Sequence, residues 1–514
     1  MHVGDILVAQ GLLTQEALAN VLLEQQLKGG TFIDCLVALG RSDRSKLEAA
    51  IDTAPRAPRR IADMGLSVSS LMALMLKSIS VSGEATQSSI VDTLKLPPFA
   101  VQELFEHADV RQLFEVHSGM RGFGSSEPRY TLTQKGVDWA HEAMSQNEYL
   151  GPAPVTLDAL RSQIKRQGIA NERIDRTAIQ QAFADLVVPG HLIDELGPAL
   201  NSGRSILLYG PPGNGKTTIG ARVAQLFNDV IYIPYCFEVE GQIIKLFDPT
   251  VHQEINCSVE NDGPAVVQRS DDLDGRWVAC RRPYVVTGGE LTLEMLDLSF
   301  DPMVRFYQAP LHIKALGGVF LIDDFGRQLV SPKALLNRWI VPLGSGVDYL
   351  KLHTGKSFDL PFDELLIFST NMPPQELMDA AFLRRIPYKI EMGPPSADEY
   401  RRIFLNESTR AGLAVDEATI EGIIIQLDAR YEMPLASYQP RFIVEQILAS
   451  AKFDGSKPNL DPLCLAHALD NLSARQSCAV RSLMEPGPRA GDVTILSTAR
   501  QTQAPRVMSA WGAN

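Results

Sequence analysis

The chain has 514 residues, of which 45% are hydrophobic and 21% charged, and its formal net charge is −13 at pH 7. The length predicts several domains and the composition is typical of a soluble globular protein, while the negative charge disfavours a general nucleic-acid binder, because phosphate neutralisation needs clustered Lys and Arg. The six cysteines are scattered without metal-ligand spacing, so we expect free thiols. No stretch is as long and apolar as a membrane span, and the sequence shows no signal-peptide pattern. We therefore expect a cytoplasmic protein with no direct membrane insertion.

Residues 1–55 show a helical spacing of leucines and an internal repeat. The segment that starts at His2-Val3-Gly4 is echoed after roughly thirty residues by the segment at Phe32-Ile33. This repeat resembles the N-terminal module of type II secretion and type IV pilus assembly ATPases, some of which bind cyclic di-GMP. In that family each repeat begins with Arg-Leu-Gly. Loss of the Arg removes a bidentate contact and loss of the Gly blocks close backbone approach, which favours a small helical docking module here.

The segment 56–150 has the element order of a winged helix. Three helical patterns, at 69–79, 88–94 and 98–107, precede two short strands at 113–117 and 130–133 that flank a glycine-rich turn. A DNA-reading helix needs donors and cations, but the third pattern has two acids and no base from Phe99 to Glu106. Arg121 and Arg129 of the wing are the nearby candidates for phosphate contacts. We therefore expect this domain to serve as a spacer or docking block that contacts proteins rather than DNA.

Composition marks two further boundaries. Gly151-Pro152-Ala153-Pro154 opens a predicted linker and helical connector over 151–185, because proline interrupts regular helix. The chain after 475 is rich in Ser, Ala, Pro, Gly and Arg, which predicts a disordered tail over 476–514.

A phosphate-loop pattern gives the strongest functional signal. An apolar strand at 205–209 leads into a glycine-rich loop, and a helical pattern follows at 219–227. Backbone N–H groups of such a loop turn inward around phosphates, the lysine neutralises the β- and γ-phosphates, and the threonine hydroxyl is a ligand for Mg²⁺. The predicted nucleotide-binding residues are Gly210, Pro211, Pro212, Gly213, Asn214, Gly215, Lys216, Thr217 and Thr218, and Thr217 is also a predicted Mg²⁺ ligand.

Two more apolar strands end in polar side chains. The strand at 318–322 runs into Asp323 and Asp324, and the strand at 365–370 runs into Asn371. Asp323 is predicted to hold Mg²⁺ through its water shell. Asp324 is predicted to orient and deprotonate the attacking water.

Together these elements resemble the AAA+ ATPases across residues 186–475. The resemblance identifies Asn371 with sensor 1, which contacts the γ-phosphate and the attacking water, and Arg441 with sensor 2, which reports the γ-phosphate to the lid. Arg384 or Arg385 resembles the arginine finger that completes a neighbouring subunit's site, although a solvated basic helix end is the alternative. AAA+ proteins usually carry Glu where Asp324 stands, so we expect slow hydrolysis or compensation by local geometry.

The resemblance also implies a fold and an assembly. We expect an α/β core with a parallel sheet flanked by helices over 186–392, and a helical lid over 393–475. The implied cofactors are ATP and Mg²⁺. The implied assembly is a ring-shaped homo-oligomer, with a hexamer as the expectation.

Two segments within the predicted core bear on the branch of the family. Residues 347–360 alternate around a Thr-Gly turn and predict a hairpin, which resembles the MoxR-like branch, many of whose members remodel protein partners. Residues 234–317 predict an insertion that faces a substrate or pore, with Val239-Glu240-Gly241 as a weak pore-loop candidate. The irregular spacing of His252, Cys257 and Cys280 favours structural roles over metal binding.

The sequence therefore predicts an ATPase that couples ATP binding and hydrolysis to remodelling of a protein partner. The N-terminal modules would choose that partner, and residues 1–55 suggest a link to pilus or secretion machinery. Two alternatives stay open: an ATP-dependent scaffold with negligible turnover, and a DNA-associated regulatory ATPase that uses the winged helix.

Overall fold

The computed structural model describes residues 8, 13–28, 36, 53–117, 127–227, 229–255 and 273–473. Both repeat starts of the predicted N-terminal module, the wing residue Arg121, Cys257 and the predicted tail 476–514 lie outside these residues. None of the described helices combines the length and the apolar character that crossing a membrane requires. The chain divides into two compact units between Val444 and Glu445.

The bounds of the regular elements are as follows. The strands are β1 Phe114–His117, β2 Arg129–Leu132, β3 Val155–Thr156, β4 Ile206–Tyr209, β5 Val230–Pro234, β6 Cys236–Val239, β7 Gln242–Lys245, β8 Trp277–Arg281, β9 Tyr284–Thr287, β10 Ser299–Asp301, β11 Phe306–Gln308, β12 Val319–Ile322, β13 Val347–Lys351, β14 Ser357–Pro361, β15 Leu365–Thr370 and β16 Tyr388–Glu391. The α-helices span Gln15–Lys28, Val68–Ser82, Gln87–Leu94, Pro98–Val110, Gln134–Gln146, Leu157–Arg166, Arg176–Ala182, Gly190–Ser202, Lys216–Ala224, Leu311–Lys314, Pro332–Ser345, Pro374–Leu377, Ala380–Leu383, Ala397–Arg410, Glu417–Ala429, Gln439–Asp454 and Pro462–Ser473. Short 3-10 helices lie at Ile61–Met64, Ile169–Asn171 and Glu294–Leu296.

A five-stranded parallel sheet, in the order β16-β4-β15-β12-β9, forms the centre of the fold. Strands β12 and β15 are buried along their whole length, as expected for a parallel sheet that is covered on both faces. One face packs into a core with the helices Gly190–Ser202 and Lys216–Ala224. The other face packs into a core with the helix Pro332–Ser345. The predicted α/β core with a parallel sheet is confirmed.

The register of this sheet brings three chain segments to one edge. Because all the strands are parallel, their carboxyl ends lie on the same side. Tyr209 pairs with Thr370, and Ile322 pairs with Phe368. The residues that follow β4, β12 and β15 therefore meet at this edge.

A second five-stranded sheet, in the order β10-β11-β7-β6-β3, uses the predicted insertion and the segment before the core. Strand β3 of the predicted connector pairs with β6, and the helix Leu157–Arg166 places Leu160 and Ile164 in the same core as β6 and β7. The hairpin predicted at 347–360 is confirmed as the antiparallel pair β13 and β14.

The described residues of the segment 68–146 fold as three helices, the antiparallel pair β1 and β2, and a fourth helix. Their core is continuous with the second sheet through Cys236 and Ile243. On the third helix, Gln102, Glu103 and Glu106 point away from this core, because the apolar positions are its buried ones. Arg129 forms an ion pair with Glu84.

Candidate functional site

The predicted phosphate loop connects β4 to the helix Lys216–Ala224. Gly210, Gly213 and Gly215 have φ values of 137°, 80° and 81°, in the region that residues with a Cβ rarely adopt. At Gly210 a Cβ would also lie 2.4 Å from the carbonyl oxygen of Met392, which follows the neighbouring strand β16. The glycines therefore allow both the turn of the loop and its close approach to the sheet edge.

Lys216 lies at the start of the loop's helix and is buried. Its Nζ donates hydrogen bonds to the carbonyl oxygens of Gly210 and Pro211, both at 2.9 Å. Burial lowers the pKa of Lys216, and the nearby carboxylates of Asp323 and Asp324 oppose that shift. The cation is thus held inside the loop by backbone dipoles and faces two acids.

Thr217 and Asp323 contact each other across the sheet edge. The Thr217 hydroxyl donates to Asp323 Oδ2 at 2.7 Å, and Asp323 Oδ1 accepts the backbone N–H of Asp324 at 3.0 Å. A hydroxyl and a carboxylate are oxygen ligands of the kind that Mg²⁺ prefers.

Asp324 and Asn371 form a second polar contact beside the first. Asn371 Nδ2 donates to Asp324 Oδ1 at 2.9 Å. Asp324 has φ 47°, an uncommon left-handed conformation for a residue with a Cβ. The turn that follows is tied to β15, because Phe325 N donates to Ser369 O at 2.7 Å and Thr370 Oγ1 donates to Phe325 O at 2.8 Å.

A cavity of about 350 Å³ contains these groups. Its lining includes Lys216, Thr217, Asp323, Asp324 and Asn371, and also Thr218. Arg327, which the sequence reasoning missed, lines it as well and is exposed. Gln328 was also missed: its Nε2 donates to Asp323 O at 3.1 Å and supports the turn of the paired acids.

A larger cavity of about 1010 Å³ adjoins the other side of the loop and shares Gly213, Gly215 and Thr218 with the first. Its walls come from residues 185–192, the end of β16 and the segments 396–410 and 437–441. Arg441 lines this cavity and not the smaller one. No local sequence pattern predicts this cavity, because its walls come from chain segments far apart in sequence.

Two sets of contacts attach the segment 396–444 to the core around this cavity. Asp185 accepts a hydrogen bond from Arg222 at 2.6 Å through Oδ2 and one from Arg410 at 2.8 Å through its backbone oxygen. At the other side, Tyr438 N donates to Gly213 O at 3.0 Å. The phosphate loop therefore contacts this helical segment directly.

Arg384 and Arg385 lie just before β16 and line neither cavity. Arg384 is exposed, and Arg385 Nη1 donates to the carbonyl oxygen of Ala381 at 2.8 Å. Within the described chain, the structure brings together the phosphate loop, Asp323, Asp324 and Asn371, but not these two arginines.

The remaining sequence candidates have structural partners. His252 is buried, its Nδ1 accepts from Asp248 N at 2.9 Å, and burial lowers its pKa to about 4, so the ring is neutral. Cys280 is buried as a free thiol. No cluster of three His, Cys, Asp or Glu residues suited to a metal occurs among the described residues. Glu240 and Gly241 form the tight turn between β6 and β7, where Glu240 pairs with Lys356.

Comparisons with known proteins give a limited match. A family model described as Domain of unknown function (DUF8689) matches residues 396–471. No curated protein matches the chain. Among solved structures, a point mutant of Thermotoga maritima RuvB is 12% identical, with 59% of this chain and 72% of that chain covered and a TM-score of 0.31. A structure titled Thermotoga maritima RuvB Holliday junction branch migration motor is 12% identical, with 59% and 73% covered and a TM-score of 0.29.

Proposed function

We propose that the chain is an AAA+ ATPase that couples ATP binding and hydrolysis to remodelling of a protein partner. The observation that carries the proposal is the pair of contacts at the phosphate-loop cavity, Thr217 with Asp323 and Asn371 with Asp324. The five segments that the resemblance requires occur in the expected order. Three of them, the loop, the paired acids and Asn371, converge on one cavity.

The donor set fits a nucleotide with its metal. A buried cation, a hydroxyl and two carboxylates face a cavity large enough for phosphates, and the larger cavity beside it offers room for a base and ribose. Thr217 and Asp323 would hold Mg²⁺, which supplies charge neutralisation to the phosphates. Lys216 would exchange its bonds to the loop carbonyls for bonds to phosphate oxygens.

Asp324 would act as the general base toward water. Its Oδ1 is engaged by Asn371, which orients the carboxylate and leaves Oδ2 to accept a proton. Asn371 would also contact the water or the γ-phosphate, as sensor 1 does. Arg441 would report on the nucleotide from the larger cavity, and Arg384 or Arg385 would complete the site of a neighbouring subunit in a ring.

The helical segment after 393 would form the lid, and residues 68–146 a winged-helix-like domain that contacts protein. The acids on the exposed face of Pro98–Val110 support a protein partner over DNA. The hairpin β13–β14 before β15 supports the MoxR-like branch. The link to pilus or secretion machinery rests on the sequence of residues 1–55 and stays a prediction.

Phosphate release tests the proposal. Wild type, Lys216→Ala and Asp324→Asn are compared at saturating ATP and Mg²⁺. We expect Asp324→Asn to lose about 10²-fold or more in turnover while it still binds ATP, because a general base contributes on the order of 10²–10⁴-fold. Lys216→Ala should lose nucleotide affinity.

A second candidate, an ATP-dependent scaffold with negligible turnover, is favoured by one observation: the base position has the shorter Asp324, whose carboxylate is already bonded to Asn371. If wild type released phosphate no faster than Lys216→Ala, while ATP still promoted assembly, the scaffold would replace the enzyme.

A further inference from the structure

The side-chain amide of Asn214, in the phosphate loop, has a hydrogen-bond partner for its oxygen and none for its nitrogen in the described chain. Asn214 is only 5% exposed, and its Oδ1 accepts the backbone N–H of Ser437 at 3.2 Å. That bond fixes the orientation of the amide. Nδ2 is then buried and has no hydrogen-bond partner in the described chain. Buried amide groups are paired in most proteins, so the orphan donor needs an acceptor from elsewhere.

The orphan lies in the wall of the proposed nucleotide site. Asn214 lines the cavity of about 1010 Å³ together with Gly213 and Gly215 of the loop and with Ser437 and Tyr438 of the facing segment. An oxygen-rich ligand in this cavity would offer acceptors where the loop meets that segment.

Ser437 belongs to a short loop that is itself firmly held. The Gln439 side chain is buried and bridges this loop, since Oε1 accepts from Ala436 N at 3.0 Å and Nε2 donates to Pro434 O at 2.9 Å. The Tyr438 backbone N–H donates to Gly213 O at 3.0 Å. These bonds tie the loop to the start of the helix that carries Arg441.

We propose that Asn214 couples nucleotide binding to the position of the lid. Its Nδ2 donates to an oxygen of the bound nucleotide while its Oδ1 keeps the Ser437 N–H. This rests on the proposed function of the site. Because one planar amide makes both bonds, a nucleotide that orients Nδ2 also strengthens the attachment of Ser437. By linkage, a lid that is attached in this way raises the affinity for nucleotide.

Two substitutions separate the two ends of the amide. Asn214→Asp keeps the acceptor for Ser437 and replaces the donor with an oxygen, whereas Asn214→Ala removes both. Asn406→Asp is the matched control, because Asn406 lines the same cavity and the change introduces the same charge. The measurements are ADP affinity, from the anisotropy of a fluorescent ADP, and hydrogen exchange of the Ser437 and Tyr438 amides with and without ADP.

The expected results are specific to each variant. Asn214→Asp should exchange like wild type at Ser437 without ADP, lose on the order of tenfold or more in ADP affinity, and gain little protection from ADP. Asn214→Ala should exchange faster at Ser437 even without ADP. Unchanged exchange of the β15 amides checks that each variant folds.

Two outcomes would overturn the coupling: wild-type ADP affinity in Asn214→Asp, or an equal loss in Asn214→Asp and Asn406→Asp. Failure of wild type to bind either ADP or ATP would instead overturn the proposed function, and the coupling with it.

Discussion

Gly213 and Gly215 give a matched pair of sites for testing the contact between the phosphate loop and Tyr438. Their φ values are nearly equal, at 80° and 81°. A Cβ at Gly215 would meet nothing within 4 Å, whereas a Cβ at Gly213 would lie 2.3 Å from Tyr438 Cδ1 and 2.9 Å from Cε1. Alanine at either position therefore brings the same backbone strain, and only Gly213→Ala adds an overlap.

The two contributions can be estimated separately. A residue with a Cβ in the left-handed region costs about 1–2 kcal/mol relative to glycine. Overlap in a packed contact adds about 1–3 kcal/mol. The Tyr438 ring would have to move away from the added Cβ, at the residue whose backbone N–H donates to Gly213 O. We expect Gly213→Ala to cost about 1–3 kcal/mol more than Gly215→Ala in the free energy of opening this contact.

Native-state hydrogen exchange of the residue 438 amide measures that opening, which suits a chain of several domains better than global unfolding does. An extra 1.4 kcal/mol corresponds to about tenfold faster exchange. We expect the residue 438 amide to exchange roughly 5- to 140-fold faster in Gly213→Ala than in Gly215→Ala, as an extra 1–3 kcal/mol implies, and Tyr438→Ala to abolish the difference. Equal exchange in the two glycine variants, or a difference that persists in Tyr438→Ala, would refute the packing of Tyr438 on the loop.

Three further predictions concern metal, assembly and pH. Thr217→Val keeps the side-chain shape but removes the hydroxyl that donates to Asp323. The Mg²⁺ concentration for half-maximal turnover, measured by a metal titration, should therefore rise about tenfold. An unchanged Mg²⁺ concentration would exclude Thr217 as a metal ligand. If Arg384 or Arg385 completes the site of a neighbouring subunit, its alanine variant should be inactive alone and should regain turnover when mixed with Lys216→Ala. If neither alanine variant regained turnover in the mixture, neither residue would be an arginine finger. Burial lowers the pKa of Lys77 from 10.5 to about 8. Burying the charged ammonium therefore destabilises the fold below pH 8, and this destabilisation is relieved as the pH rises from 8 to 10.5. Hydrogen exchange of amides in the helix Val68–Ser82 measures the local stability at each pH, with Lys77→Met as the control. This stability should rise with pH in wild type and not in Lys77→Met. If the two proteins instead showed the same dependence on pH, the burial of the Lys77 charge would be contradicted.

The sequence could predict the phosphate loop, Asp323, Asp324 and Asn371 of the smaller cavity because each follows from local pattern, but it did not predict Arg327, which comes shortly after the paired acids. A strand, a glycine-rich loop and a helix define the position of Lys216 and Thr217, and apolar strands that end in Asp323 and Asn371 must bring both residues to one edge if the sheet is parallel. The contact between Asn371 and Asp324 was not predicted in this form. It depends on the left-handed turn at Asp324 and on two bonds from that turn to β15, which no periodicity encodes.

The larger cavity was beyond sequence reasoning for a different reason. Asp185, Asn214 and Tyr438 stand far apart in the chain, and their meeting depends on how the segment 396–444 packs on the core. The role of the segment 151–185 was equally hidden. Its two-residue strand β3 is too short to give an alternating pattern, and its partner β6 lies about eighty residues later in the chain.

The contacts around Asp324 indicate how its carboxylate is placed, although Asp is one methylene shorter than the Glu usual at this position in AAA+ proteins. A Glu would bring its carboxylate forward on a flexible side chain, whereas the Asp324 carboxylate has two χ angles and is placed chiefly by its backbone. That backbone is held in the left-handed region by a turn that is hydrogen-bonded to β15, the strand that leads into Asn371. Any shift of β15 relative to β12 would therefore move the carboxylate of Asp324 and the amide of Asn371 together. In the proposed ATPase, turnover would then depend on the position of this strand pair as much as on the methylene that Asp324 lacks relative to Glu. A neighbouring subunit or partner that changes the spacing of β12 and β15 would be expected to change turnover without touching the phosphate loop.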